Sequence, residues 1–213
     1  MASRTKGRGT ATPRLRPGGR SARVRAAVLR ATLEELAETG YRSLGFEGIA
    51  SRAGVHKTTI YRHWPTPEAL IKEALLAHTG EAVPVPDTGS LRGDLIAFGK
   101  AMVENITSPL YEGVIRTLVS EAGKDRALSE MGRDFWQERF DMAREIIRRA
   151  IARGELGEGT DPNLLLDVFL GPLYLRLLIT REPLDEAFTE RVVEFLLDGG
   201  TTERPSTSRD SRS

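Results

Sequence analysis

The chain has no cysteine, which excludes a disulfide framework, thiol catalysis and thiolate zinc sites, leaving any zinc to histidine and carboxylates. Histidine is nearly as scarce. Only His56, His63 and His78 occur, and no two form a His-x-x-x-His pair, so no metal and no cofactor are expected. A net charge is missing too, because 31 basic residues stand against 30 acidic ones, and the total says nothing about a polyanionic partner. No long apolar segment follows the N-terminus: the helical pattern that begins at Ser21 is broken by Arg30 and Glu34. Neither a secretory signal nor a contact with a membrane is expected, and the protein should stay in the cytoplasm. Strand-like alternation and internal repeats are absent, which leaves an all-α chain. There is also no Gly-x-Ser-x-Gly, no phosphate-binding glycine loop and no metal-ligand cluster, and this argues against an enzyme.

What is present is unevenly placed. Arg4, Lys6, Arg8, Arg14, Arg16, Arg20, Arg23 and Arg25 all precede the first acidic residue, Glu34. Residues 1–20 are thus a basic arm, rich in Gly, Thr and Pro and expected to be disordered, with Arg14, Arg16 and Arg20 placed to reach a minor groove or flanking phosphates. A first helix follows, with Val28, Leu29, Thr32, Leu33 and Leu36 on one face and Gly40 as its left-handed cap.

The stretch from Phe46 to Trp64, FEGIASRAGVHKTTIYRHW, organises the rest. Read as two short helices joined by a tight turn, it sets Ile49, Ala50, Ala53, Val55 and Ile60 inward, with Gly54 where the chain reverses at positive φ. Ala50 is small where the second helix crosses. Lys57, Thr58, Thr59, Tyr61, Arg62 and His63 then occupy the second helix, several of them facing outward, and such groups bond phosphates and base edges. This is a helix-turn-helix spacing, with the motif over residues 45–64.

The run TTIYRHW followed by PTPEAL resembles the signature of tetracycline-repressor-like (TetR) one-component regulators, in which a recognition helix ends in Tyr-x-His-aromatic and a fourth helix begins at once. The resemblance covers the first third of the chain, from Ala22 to Thr79. Three positions depart from the family pattern: Gly45 stands for a Thr or Ser cap, His56 for a Ser cap, and Pro67 for a phosphate-reaching Lys, although Lys72 lies further along the same helix; Gly45 and Lys72 join the six residues of the second helix as expected DNA contacts. The resemblance implies a homodimer that reads a palindromic operator in double-stranded DNA. It also implies a C-terminal domain with a pocket for a small hydrophobic effector, most simply in a repressor. A ligand-independent regulator, whose C-terminal domain only dimerises, is the alternative.

On this reading residues 21–80 are the DNA-binding domain and 81–198 the regulatory and dimerisation domain, with GEAVPVPDTG at 80–89 as the boundary and 199–213 a disordered tail. Ser90 and Pro109 open helices, a longer amphipathic helix runs from Ser129 to Arg153, and Thr160-Asp161-Pro162 starts another. Phe98, Met102, Ile106, Leu110, Leu118, Phe135, Trp136 and Phe140 are the candidate pocket wall. The run LLLDVFLGPLYLRLLI is apolar on nearly every side and so calls for burial all round, one face in its own domain and one against a partner chain. Phe169, Leu173 and Leu175, with Phe188, Val192, Phe195 and Leu196 of the last helix, are the expected dimer interface.

Overall fold

The computed structural model describes residues 19–200, and every regular element among them is helical. They are α1 (Arg20–Thr39), α2 (Phe46–Ala53), α3 (Lys57–His63), α4 (Pro67–Ala82), α5 (Leu91–Ile106), α6 (Pro109–Ala122), α7 (Arg126–Ala152), α8 (Pro162–Leu175) and α9 (Glu186–Gly200). A 3-10 turn, Tyr41–Ser43, precedes α2, and a π turn, Arg176–Thr180, prolongs α8. The basic arm up to Arg16 and the tail from 201 lie outside the described residues.

Local chemistry sets the helix ends. Thr66, Ser90, Ser108, Asp125 and Asp161 each cap a helix by accepting a backbone N–H in its first turn, and Pro follows directly in α4, α6 and α8. Asp125 starts α7 at Arg126, earlier than the expected Ser129, and within the expected Thr160-Asp161-Pro162 start it is Asp161 that caps α8. Gly40 has positive φ but an extended ψ of 166°, so it is not the expected left-handed helical cap. The helix α4 runs through Gly80 to Ala82, and only Pro84 ends the pattern, so the boundary segment is shorter than residues 80–89.

In the N-terminal head, α1 packs across α2 and α4 and buries Val28, Leu33 and Leu36 against Ile49, Ile60, Leu70 and Ile71. The head joins the body through α1 on α6 and α4 on α7, with ion pairs from Arg42 to Glu121 at 2.8 Å and from Lys72 to Glu138 at 2.5 Å. The body stacks α5 against α9 and α7 against α8. At Gly99 the helices approach so closely that a Cβ would lie 2.3 Å from Thr189 Cγ2 and 2.9 Å from Phe169 Cζ.

The segment Pro162–Thr180 is long and apolar enough to cross a membrane by length and composition alone, with mean hydropathy 1.5. Here Leu166, Phe169, Leu170, Leu173 and Leu177 face the protein's own core, while Leu164, Val168, Leu175 and Ile179 are exposed. The helix is therefore not buried all round within one chain. Its exposed stripe follows i, i+4, i+11, i+15, one face of a helix, with Gly171 open between Val168 and Leu175.

Candidate nucleic-acid interface and internal cavity

The head fixes α3 through its apolar face. Ile60 is fully buried, and Trp64, 4% exposed, donates from Nε1 to Glu73 Oε2 at 2.9 Å, while Arg25 pairs with the same carboxylate at 2.7 Å. The turn before α3 is a Schellman closure: Val55 N–H reaches Ala50 C=O at 3.0 Å and Gly54 N–H reaches Ser51 C=O at 3.2 Å. Gly54 sits at φ 65°, ψ 36°, the left-handed region that a Cβ disfavours. A second brace holds α2 from behind. Arg52 reaches Glu35 at 3.0 Å and Glu38 at 2.5 Å; the bond to Glu38, followed by that to Glu35, raises the guanidinium's pKa, and the bond from Arg52 lowers that of Glu38.

This scaffold leaves one side of α3 open. Thr58, Tyr61, Arg62 and His63 are exposed, while Lys57 and Thr59 are half-buried. Tyr61 rests edge-on against Phe46 with centroids 4.7 Å apart, and Lys57 lies 5.3 Å above the Tyr61 ring while pairing with Glu47. Beside α3 runs a groove walled by Arg20, Arg25, His56, Thr59, Arg62 and His63, so the start of α1 adds cations to the same face. A short helix presenting hydroxyls, a phenol and cations from a rigid base suits the major groove of DNA.

The body encloses a second feature. Between α4, α5, α6, α7 and α8 lies a cavity of ≈ 10 Å³, the scale of one water molecule. Its wall is mostly aromatic, from Phe98, Tyr111, Phe135, Trp136, Phe140 and Tyr174, with Met102 and Leu170. Polar groups also face it. Arg139 is 6% exposed and donates from Nη2 to the backbone C=O of Val83 at 2.9 Å, and burial lowers its pKa. Asn105 is 5% exposed; its Oδ1 pairs with Nε2 of His78, 2.8 Å away on α4, while its Nδ2 has no partner. His78 stacks on Tyr111, whose hydroxyl is pushed up in pKa by burial. An apolar cleft of ≈ 90 Å³ between α6 and α7 shares Tyr111, Phe135 and Trp136 with the cavity.

Residues 28–74 match the family model for bacterial regulatory proteins of the tetR family, and residues 85–196 match that for the tetracyclin repressor-like C-terminal domain. The chain belongs to the TetR family. It is a DNA-binding transcriptional regulator of the helix-turn-helix type and not an enzyme. It is 34% identical over 181 residues to the HTH-type transcriptional regulator AqdR of Rhodococcus erythropolis, covering 84% of this chain and 86% of that one. It is also 35% identical over 176 residues to the DNA-binding transcriptional repressor TetR of Mycobacteroides abscessus, covering 81% and 90%. Among solved structures, the TetR family transcription regulator SCO0332 superposes with a TM-score of 0.71 at 36% identity, over 83% of this chain and 97% of that one. The fold is shared more distantly, at 18% identity and a TM-score of 0.66, with FadR of Bacillus subtilis in complex with stearoyl-CoA, over 81% and 97%.

Within this TetR-family chain the expected residues divide. Of the motif's inner positions, Ile49, Ala50 and Ile60 are buried and Ala53 and Val55 partly buried against the same core. Gly45 is the extended N-cap of α2 and supplies no side-chain bond. Lys72 does not join the α3 face: its ammonium is held by Glu138 of α7, with Asp134 3.9 Å away. Of the expected pocket wall, Phe98, Met102, Phe135, Trp136 and Phe140 line the cavity. Leu118 lines the cleft instead, Ile106 is fully buried core, and Leu110 faces a groove against α1 and α4.

The expected dimer residues need the largest correction. Phe169 and Leu173 are fully buried in their own domain, one register away from the exposed stripe, and so cannot meet a partner. Phe188 is half-covered by Arg176, whose guanidinium lies 3.5 Å from its ring centroid. Leu175 and Phe195, 50% and 76% exposed, are on the open face, while Val192 and Leu196 are half-buried beside them. The residues missed were Leu164, Val168 and Ile179, and in the cavity Asn105, Tyr111, Arg139 and Tyr174. Periodicity does not single out the first group on a helix apolar on nearly every side. Nothing local distinguishes Arg139 from the other arginines of α7.

Proposed function

We propose that the protein acts in the cytoplasm as a homodimeric repressor of a palindromic operator, released by a small effector that enters the body. The head is residues 21–80 and the regulatory and dimerisation domain 81–198. Thr58 and Thr59 lie nearest the bases, Tyr61 and Lys57 serve phosphates, and Arg62 and His63 flank them. The carrying observation is the exposed row on α3 above a fully buried Ile60, since a base-reading helix must be held rigidly from behind. Lys57 exchanges its Glu47 partner for a phosphate on binding. One recognition helix covers too little surface for specificity, and two related by a two-fold axis supply both affinity and palindromic selection. The exposed stripe Leu164, Val168, Leu175 and Ile179, with Phe195, is the natural cover for a second copy.

Selection of bound sequences from random duplexes by the purified dimer tests this reading. It predicts a palindrome with half-sites one helical turn apart or a multiple of it. Thr59→Ala should cost about 1–3 kcal/mol and relax one position, whereas Tyr61→Ala should weaken all sequences alike. Selected sites without two-fold symmetry would refute it.

The second reading, a regulator that responds to no ligand, is favoured by one observation: the cavity holds no more than a water molecule in this conformation. Against it stands the buried amide nitrogen of Asn105, which has no partner in that cavity.

A further inference from the structure

Arg139 is the least explained charge in the body. Its guanidinium is buried on α7 at the cavity wall and makes one bond, to a neutral carbonyl, Val83 C=O. Among the described residues no carboxylate lies within ion-pair distance of it, although the neighbouring Arg144, Arg149 and Arg153 all have acidic partners. A guanidinium carries five N–H donors, so four have no protein acceptor here. Taking a cation out of water is costly unless an anion receives it, and a neutral donor would hold Val83 without that cost. The bland role, a strut on the end of α4, therefore accounts for one donor and leaves the charge unexplained.

A second group points at the same space. Asn105 is bonded through its carbonyl oxygen to His78, and its amide nitrogen, buried in the cavity wall, has no partner. Arg139 and Asn105 are both donors, and neither needs a donor in return. The remaining wall is aromatic. A complementary molecule has acceptor oxygens with negative charge at one end and an apolar body at the other.

We propose that the effector is an apolar monocarboxylate whose carboxylate is received by Arg139 and the Asn105 amide, and whose body packs among Phe98, Trp136 and Phe140. The proposal rests on the effector reading above. Entry is through the α6–α7 cleft, because Tyr111, Phe135 and Trp136 line both the cleft and the cavity, and displacement of the Trp136 ring joins the two spaces.

The test titrates the full-length protein by calorimetry with two matched pairs, 1-naphthoate against 1-naphthamide and decanoate against decanamide. Quenching of Trp136 fluorescence, absent in Trp136→Phe, locates the binding. At least one carboxylate should bind tenfold or more tightly than its amide, and Arg139→Gln should remove that preference while leaving amide affinity unchanged. Amides that bind as tightly as the acids would overturn the anion assignment and leave the effector reading standing. A preference that survives in Arg139→Gln would overturn the role of Arg139. Absence of binding by all four compounds would overturn the proposal and count against the effector reading with it. Should Arg139→Gln fail to fold, the acid-to-amide ratio of the wild-type protein still decides the anion assignment, and Arg139→Lys decides the residue: the ratio should fall there with the loss of the forked donors, and an unchanged ratio would overturn the role of Arg139.

Discussion

Two alanine substitutions at glycines in helices of the same body should move stability in opposite directions. At Gly99 the new methyl falls 2.3 Å from Thr189 Cγ2 and 2.9 Å from Phe169 Cζ, and these two residues are 1% and 0% exposed, so neither can swing into solvent. Overpacking of this kind costs about 1–3 kcal/mol, while replacing a helical glycine by alanine returns about 1 kcal/mol. The net is a loss of about 1 kcal/mol, or about 2–4 °C in Tm for a chain of this size. At Gly132, in the second turn of α7, nothing lies within 4 Å of the new methyl, so only the helix-propensity gain remains. Gly132→Ala should raise Tm by about 2–4 °C. Thermal unfolding followed by circular dichroism at one protein concentration measures both. A Gly99→Ala protein as stable as Gly132→Ala would refute the close approach of α5, α8 and α9, and with it the placement of the exposed α8 stripe.

Two further outcomes are expected. Lys72→Ala should leave operator affinity within about twofold, since a surface ion pair such as Lys72–Glu138 contributes about 0–1 kcal/mol and the ammonium faces α7; a loss of tenfold or more in a gel-shift titration would return Lys72 to the DNA surface. Leu175→Glu with Phe195→Glu should give monomers by analytical ultracentrifugation that no longer bind the operator, whereas a wild-type chain that sediments as a monomer at micromolar concentration would refute the dimer.

The sequence carries the head far better than the body, for a physical reason. The helix-turn-helix is local: Gly54, Ala50, Ile49 and Ile60 lie within 12 residues, and each has a steric duty that few residue types meet. Three helix starts in the body are equally legible, through Ser90, Pro109 and the Asp161-Pro162 pair, whereas that of α7 at Asp125 is not. What periodicity does not settle is which side of an all-apolar helix faces in. On α8 nearly every position qualifies, so Phe169 and Leu173 read as well for the outer face as Leu164 and Val168 do. The cavity polar groups are illegible for a different cause: Arg139 lies among Arg133, Arg144, Arg148 and Arg149 on one amphipathic helix, and only packing against α4 separates the buried one from the rest. The place of Lys72 is illegible for the same reason, since its partner Glu138 is distant in sequence.

The small size of the cavity bears on mechanism as well as on volume. A ligand shifts an equilibrium only by its difference in affinity for the two conformations, so a pocket already open in the DNA-binding state would bind without moving anything. Here Thr79 and Val83 in the wall belong to the last turn and cap of α4, and His78 of the same helix is tied to Asn105. The other half of α4 buries Leu70 and Ile71 in the head, and Glu73 holds Trp64 at the end of the recognition helix. A helix of 16 residues is about 24 Å long, so α4 alone links the cavity wall to the head. In the proposed reading, an effector that forces the walls of a nearly closed cavity apart displaces α4 at one end and α3 at the other, and closure without ligand is what couples binding to release.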